Sequence, residues 1–156
     1  KIPTADWVEY IVSRFRSRGA TISDKQAEKI CNMVDGYSSY VQQLAWNVMI
    51  EAEDIVKDSD IESGYEVLLN QSSSLFTEQI ASLTFYQMNF LKVVADNIHS
   101  GFMSEDILGK YSLGAKSNVS KIEKTLVEKE LIEKRGKEYF FADPVFSVWF
   151  KRTYGK

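Results

Sequence analysis

The sequence is poor in the residues on which many enzymes and crosslinked proteins depend. Its 156 residues include one cysteine and one histidine, so an internal disulfide and a histidine-rich metal site are both excluded. No G-x-x-x-x-G-K-[ST] stretch occurs, so no loop of the chain is suited to hold a nucleoside triphosphate. No apolar run approaches the roughly 20 residues that a membrane-spanning helix needs. These absences argue against a disulfide-crosslinked protein, a histidine-based metalloenzyme, a self-contained P-loop ATPase and a membrane-spanning protein.

The scarce reactive residues are expected to be structural. His99 lies near Gly101 at a predicted helix end without a carboxylate cluster, so a solvated capping role is favoured over a catalytic one. Cys31 falls on an apolar stripe and is predicted to be a buried thiol, which also suits a reducing compartment. Three carboxylates are expected to form the solvated face of one helix and not a metal site: Glu51, Glu53 and Asp54. We therefore predict no catalytic residue and no metal site.

The remaining composition is that of a folded chain with unevenly distributed charge. Hydrophobic residues make up 44% and charged residues 26%, which is typical of globular proteins. The net charge of −3 is the sum of two halves that differ in charge. Residues 1–76 contain 7 basic and 12 acidic groups, whereas residues 77–156 contain 12 basic and 10 acidic groups. This balance is too weak to indicate nucleic-acid binding by itself.

The first half has the periodicity of helices. Trp7, Ile11 and Phe15 recur at four-residue spacing and place one apolar face on the first helix. Pairs with the spacing of a capping box predict three further helix starts: Ser23 with Gln26, Ser39 with Gln42, and Ser59 with Glu62. The third helix is predicted to run to about Val56, and the fourth to be long or interrupted at the polar run 70–74. We expect a helical subdomain over residues 1–76.

The second half begins with three more predicted helices. Thr84 and Gln87 have capping-box spacing and open a helix that Gly101 is expected to end. A short helix follows Ser104, and a turn over residues 112–114 separates it from a helix over residues 115–130. Two adjacent helices joined by a tight turn are typical of a helix-turn-helix.

A predicted hairpin completes this second domain. Two short β-prone runs flank the turn Arg135-Gly136-Lys137. Asp143 followed by Pro144 opens a final helix, with the aspartate as N-cap. Its aromatic side chains are expected to be core: Phe146, Trp149, Phe150 and Tyr154. The fold class is therefore mainly α, a helical subdomain followed by a winged helix-turn-helix domain with a two-stranded wing over residues 77–156.

The helix at 115–130 has the one surface pattern that suggests a ligand. With Val119, Ile122 and Leu126 turned inward, polar side chains share the outer side, where they can meet phosphates or base edges. The candidate DNA contacts are Lys116, Ser117, Asn118, Ser120, Lys121 and Lys124, with Arg135 and Lys137 at the wing. Residues 115–137 also include four glutamates among seven basic groups. A solvated or protein-facing surface is therefore favoured over DNA contact.

Several stretches resemble one family. Gly36, Tyr37, Ser38, Ser39 and Tyr40, followed by Val41-Gln42-Gln43-Leu44, resemble the lid-domain motif of archaeal-type P-loop ATPases of the AAA+/STAND group. The stretch from Leu126 to Lys134 resembles the same family's winged helix. Asp143-Pro144-Val145-Phe146 and Trp149-Phe150, after Tyr139, are similar to its ending. The resemblance covers nearly the whole chain.

The resemblance implies a module of a larger protein. ATP and Mg²⁺ would be bound by an ATPase domain that precedes Lys1, in a cytoplasmic, bacterial or archaeal protein, and no membrane partner is implied. The start at Lys1-Ile2-Pro3, without an initiator methionine, leads us to expect a longer parent chain. The lid motif, residues 36–40, would lie near the nucleotide. Serine stands where the family often has proline, and no arginine begins the third helix.

This lid and winged helix would act as a C-terminal regulatory module that couples nucleotide state to a partner. Its partners would be its own ATPase domain and either DNA or another protein. Two alternatives stay open, a DNA-binding winged-helix transcription regulator with a helical dimerisation domain and a pure protein-interaction module. A hydrolase is the least favoured class because no nucleophile–base pair can be named.

Overall fold

A computed structural model describes residues 1–155 and confirms the mainly α fold class. The elements of the described range are α1 (Thr4–Ser17), α2 (Asp24–Met33), α3 (Ser38–Glu51), α4 (Asp58–Ala81), α5 (Phe85–Ala95), α6 (Glu105–Tyr111), α7 (Lys116–Glu128), β1 (Ile132–Arg135), β2 (Glu138–Phe141) and α8 (Pro144–Tyr154). They form two compact units, Lys1–Ser74 and a second that begins at Leu75. Within the described range no helix is both long and apolar enough to cross a membrane.

The core of the first unit is built from the predicted helix stripes. Trp7, Ile11 and Phe15 of α1 are buried, as their spacing predicts. Cys31 is buried on α2 and is a free thiol, and burial raises its pKa. α3 and α4 approach closely at Gly64 of α4, where an added Cβ would lie 2.8 Å from a methyl carbon of Val48. The absence of a side chain at Gly64 therefore lets α3 and α4 pack together.

Helix starts in the first unit follow the predictions only in part. The capping box of Ser23 and Gln26 is confirmed, with the Gln26 N–H donating to Ser23 Oγ at 3.1 Å. The other two predicted boxes are wrong, because α3 already begins at Ser38 and α4 at Asp58. Both serines of those predicted boxes therefore lie inside helices. α4 is continuous through the polar run 70–74.

The predicted end of the third helix is also wrong. α3 ends at Glu51, since the chain beyond it is extended and pairs with the loop before α2. The N–H of Thr21 donates to the carbonyl oxygen of Asp54 at 2.7 Å, and the N–H of Val56 donates to that of Thr21 at 2.9 Å. The carboxylates at 51, 53 and 54 consequently do not share one helix. The described residues contain no cluster suited to hold a metal ion.

The second unit has the element order of a winged helix. The capping box of Thr84 and Gln87 is confirmed at the start of α5. α5 ends at Ala95 and not at Gly101, because Asn97 takes a left-handed conformation with φ 62° and turns the chain earlier. α6 and α7 follow, joined by the predicted turn, in which Ser112 is left-handed. β1 and β2 pair antiparallel, with Ile132 opposite Phe141 and Arg135 opposite Glu138.

Aromatic rings form the core at the end of the second unit. Asp143 caps α8 through hydrogen bonds from the N–H groups of Val145 and Phe146, as predicted. Phe146 lies with its ring centroid 5.3 Å from that of Phe76 and 5.7 Å from that of Trp149. Trp149 is 8% exposed. The aromatic residues of α8 are therefore part of the core, as predicted, except at Tyr154. The ring of Tyr154 lies at the edge of the core and is 37% exposed.

Candidate nucleic-acid interface

α7 presents a continuous polar face to solvent. Val119, Ile122 and Leu126 are buried against the second unit, so residues half a helical turn away must face outward. Five of the six α7 candidates are exposed, and these are Lys116, Ser117, Ser120, Lys121 and Lys124. Asn118 is the exception, since it lies half-buried at the flank of the helix. The sequence thus identified the outward face of α7 correctly.

The start of α7 is open to an anion. Its N-cap is Ala115, and no side chain accepts a hydrogen bond from the first turn. Uncapped N–H groups and the positive end of the helix dipole both favour a negative ligand. The preceding Gly114 has φ 81°, and a Cβ there would lie 3.3 Å from the ring of Tyr86 and 3.7 Å from Nδ2 of Asn118. The half-buried Asn118 therefore lies beside the turn at Gly114.

The lysines of α7 have no internal partners. Across residues 1–155, no carboxylate lies within ion-pair distance of Lys116, Lys121 or Lys124. Lys121 and Lys124 are three residues apart and so share one side of the helix. Glu123 and Glu128 are on the same helix and leave it with a net charge of only +1. The face can attract a polyanion, but weakly.

The basic side chains of the wing are less free to bind a ligand than the sequence suggests. Glu133 and Arg135 form an ion pair on the outer face of the hairpin, in which the Arg135 Nε–H donates to Glu133 Oε1 at 2.7 Å. The guanidinium carbon also lies 4.7 Å from the ring centroid of Phe140. Glu138 is directly opposite Arg135 in the strand register. Of the two wing candidates, only the exposed Lys137 at the turn lacks such an internal partner among the described residues.

His99 packs against the wing and is not the solvated cap that the sequence predicts. Its ring stacks on Phe140 with centroids 4.2 Å apart, and its Nδ1 lies 2.9 Å from the carbonyl oxygen of Tyr139. The N–H of Tyr139 donates to the carbonyl oxygen of His99 at 2.9 Å. Because these hydrogen bonds are made to the backbone of β2, His99 has a structural role.

A tyrosine links the wing to α7. The hydroxyl of Tyr139 donates to Glu123 Oε2 at 3.1 Å. Partial burial, followed by the charge and hydrogen bond of Glu123, raises the pKa of Tyr139. Lys134 lies with its ammonium 5.9 Å from the same ring. The bond therefore positions Glu123 at the flank of α7 and couples the two parts of the candidate interface.

The segment that resembles a lid motif, residues 36–40, forms a turn and a helix start in the first unit. Gly36 has φ 67°, and its N–H donates to the carbonyl oxygen of Cys31 at 2.9 Å, which closes the end of α2. Tyr37 is the N-cap of α3 and makes no side-chain capping bond. Ser38 and Ser39 are exposed in the first turn, and the rings of Tyr37 and Tyr40 lie 6.4 Å apart. The motif residues are thus contiguous on the surface.

Two features of the surface escaped the sequence analysis. A cleft of about 320 Å³ in the second unit has Tyr111 in its wall, and the Tyr111 hydroxyl donates to Asp96 Oδ2 at 2.5 Å. In the first unit, a groove between α1 and α3 contains the arginines Arg14 and Arg18. The four-residue spacing of Tyr10, Arg14 and Arg18 was the available signal for this groove.

Comparison with known proteins was consistent with this architecture. The sequence profile of a family described as a probable winged helix domain matches residues 74–152. No curated protein matches the chain. Among solved structures, a Walker-type ATPase of Pyrococcus abyssi is similar, with a TM-score of 0.77 and 15% sequence identity. The superposition covers 96% of this chain and 42% of the ATPase chain, so this chain spans less than half the length of that structure.

Proposed function

Because the chain belongs to the probable winged helix domain family, we propose that it is the non-catalytic C-terminal regulatory module of a larger P-loop ATPase. In this proposal the winged helix couples the nucleotide state of the ATPase to DNA. The parent protein is cytoplasmic, and a preceding domain holds ATP and Mg²⁺. The lid motif at residues 36–40 lies near that nucleotide.

The likeness to the Walker-type ATPase supports the modular part of the proposal. This chain superposes over 96% of its own length on 42% of the ATPase chain, and it has no phosphate-binding loop of its own. The coding sequence that precedes Lys1 provides the test. A G-x-x-x-x-G-K-[ST] motif after a predicted strand supports the proposal, and a start codon at this point refutes it.

The observation that carries DNA binding is the unpaired lysine face of α7. Lys116, Lys121 and Lys124 are exposed and have no carboxylate partner in the described range. α7 enters the major groove with its uncapped N-terminus first, where its N–H groups meet a phosphate. With so few phosphate contacts, affinity falls in the non-specific range of about 10⁻⁴–10⁻⁶ M and decreases as salt rises.

Fluorescence anisotropy on a random-sequence duplex at low salt tests the lysine face. The double variant Lys121→Glu/Lys124→Glu should lose binding, because both side chains point away from the core and reverse the charge of the face. A matched control, Arg16→Glu/Lys25→Glu, makes the same change of charge on the exposed surface of the first unit and should bind like the wild type. Equal binding by all three proteins would show that α7 is not the DNA surface.

A protein partner is the second candidate, and the paired wing favours it. Arg135 is already held by Glu133 and Phe140, so the wing offers little free charge to a DNA backbone. If the wild type binds no duplex at low salt, α7 is assigned to a protein partner. Sedimentation velocity distinguishes the transcription-regulator alternative, which requires a symmetric dimer with both α7 helices accessible.

A further inference from the structure

The groove between α1 and α3 in the first unit combines aromatic rings with arginines. Tyr10 is 42% exposed and Trp46 is 49% exposed. The guanidinium carbon of Arg14 lies 5.7 Å from the ring centroid of Tyr10, and that of Arg18 lies 5.2 Å from the ring of Trp46. The arginine–aromatic groove is lined by Tyr10, Arg14, Arg18, Gln42, Trp46 and Met49.

The core packing of the two helices leaves these side chains outside. α1 buries Trp7, Ile11 and Phe15, so the neighbouring row of Tyr10 and Arg14 lies at the edge of the buried face. On α3 a second row, with Trp46 at its centre, lies beside the buried Val41, Leu44 and Val48. Half-exposed Trp and Tyr beside Arg are the residue types that dominate binding energy at protein interfaces.

The charge of the groove is opposite to that of the unit around it. Residues 1–76 have 7 basic and 12 acidic groups, a net charge of −5. Arg14 and Arg18 nevertheless have no carboxylate within ion-pair distance among residues 1–155. Each guanidinium keeps donors arranged to bind a carboxylate with two parallel hydrogen bonds. The groove is therefore a small cationic site on an acidic unit.

We propose that the arginine–aromatic groove binds a short acidic segment of a partner protein. Carboxylates of the segment pair with Arg14 and Arg18, and an apolar side chain beside them covers Trp46 and Met49. A nucleic acid fits the groove less well, because one face of each ring is already covered by a guanidinium group and is closed to base stacking. This function is independent of the DNA-binding role of α7.

Binding of labelled peptides to the complete chain tests the proposal. The probes are short peptides that mix aspartate and glutamate with leucine, matched peptides in which asparagine and glutamine replace the acids, and a single-stranded oligothymidine. We expect the acidic peptides alone to bind, with a change in Trp46 fluorescence and a loss of affinity at high salt. Binding of the oligothymidine without the acidic peptide, or of no probe at all, overturns the proposal.

Variants locate the binding on the surface. Arg14→Gln/Arg18→Gln and Trp46→Ala should each weaken the acidic peptide by about tenfold or more, as changes at interface hot spots do. Arg16 is the matched control, because it is exposed on the other side of α1, beside Val8 and Val12. Arg16→Gln should change affinity by less than about twofold. An equal loss in the Arg16 variant, with helical content unchanged in all proteins, contradicts a specific groove.

Discussion

The imidazole of His99 lies nearly parallel to the ring of Phe140, with an interplanar angle of 24°. The two residues tie the segment after α5 to the outer face of the wing. Because a carbonyl oxygen can only accept, Nδ1 of His99 must carry the proton that it donates to the Tyr139 carbonyl. The hairpin is thereby braced by a segment forty residues earlier in the chain, which keeps the wing at a fixed position beside α7.

Truncation of Trp149 should be among the most damaging changes in the second unit. The side chain is 8% exposed and contacts the rings of Phe76 and Phe146. Trp149→Ala should lower the free energy of unfolding by about 3–5 kcal/mol, measured by urea denaturation. Trp46→Ala removes a half-exposed ring and should cost about 0.5 kcal/mol. A loss below about 1 kcal/mol at Trp149 would show that its ring is not part of the core.

Two glycines inside helices should respond to alanine in opposite directions. At Gly64 a Cβ would lie 2.8 Å from a methyl carbon and 3.0 Å from the backbone nitrogen of Val48, so a helix must move. Gly64→Ala should destabilise the protein by about 1–3 kcal/mol. At Gly109 of α6 a Cβ meets nothing within 4 Å, and Gly109→Ala should stabilise by about 0.4–1 kcal/mol. Thermal unfolding of both variants measures the contrast, and stabilisation by Gly64→Ala would refute the close approach of α3 and α4.

The chain by itself should not bind ATP. It contains no glycine-rich phosphate loop, and no arginine stands at the start of α3 to hold a phosphate. Isothermal titration of the chain with ATP and Mg²⁺ should give no heat beyond that of dilution, and no phosphate should be released. A micromolar dissociation constant would contradict this prediction and require a nucleotide site within these residues.

Tyr111 should titrate above ordinary tyrosines. Burial, and then the hydrogen bond and charge of Asp96, raise its pKa from 10.0 to about 12. Since the folded state holds the proton more tightly than the unfolded state, this stabilisation is complete below pH 10 and is lost as pH rises towards 12. Tyr111→Phe should remove the last step of the alkaline absorbance titration, and Asp96→Asn should move that step to lower pH. Titration of all tyrosines in one step near pH 10 would contradict the shift.

Local patterns predicted those elements whose geometry is decided by nearby residues. The core face of α1 follows from the spacing of Trp7, Ile11 and Phe15, and the start of α8 follows from Asp143 and its neighbours. The start of α3 was wrongly predicted from the capping-box spacing of Ser39 and Gln42, since α3 begins at Ser38. The left-handed turn at Asp35 and Gly36 places Tyr37 at the N-cap of α3. No serine therefore caps this helix.

Local patterns also predicted part of the candidate interface, but not its contacts between residues far apart in sequence. Helical spacing identified the exposed lysines of α7 because burial of Val119 and Ile122 fixes the helix rotation. The pairing of Glu133 with Arg135 follows from alternation along a strand and could have been inferred from the hairpin. The contacts of His99 with the wing could not, because they join residues far apart in sequence and carry no local signature.

The bridge between the loop at Thr21 and the segment after α3 has a kinetic consequence. Thr21 both donates to Asp54 and accepts from Val56 through its own backbone, so neither segment can leave without breaking both bonds. The two amide protons of Thr21 and Val56 are therefore exposed by different halves of one opening event, and their hydrogen–deuterium exchange should show matching protection factors. The acidic segment after α3 is thus held in place by backbone hydrogen bonds. Its opening reports on the stability of the first unit.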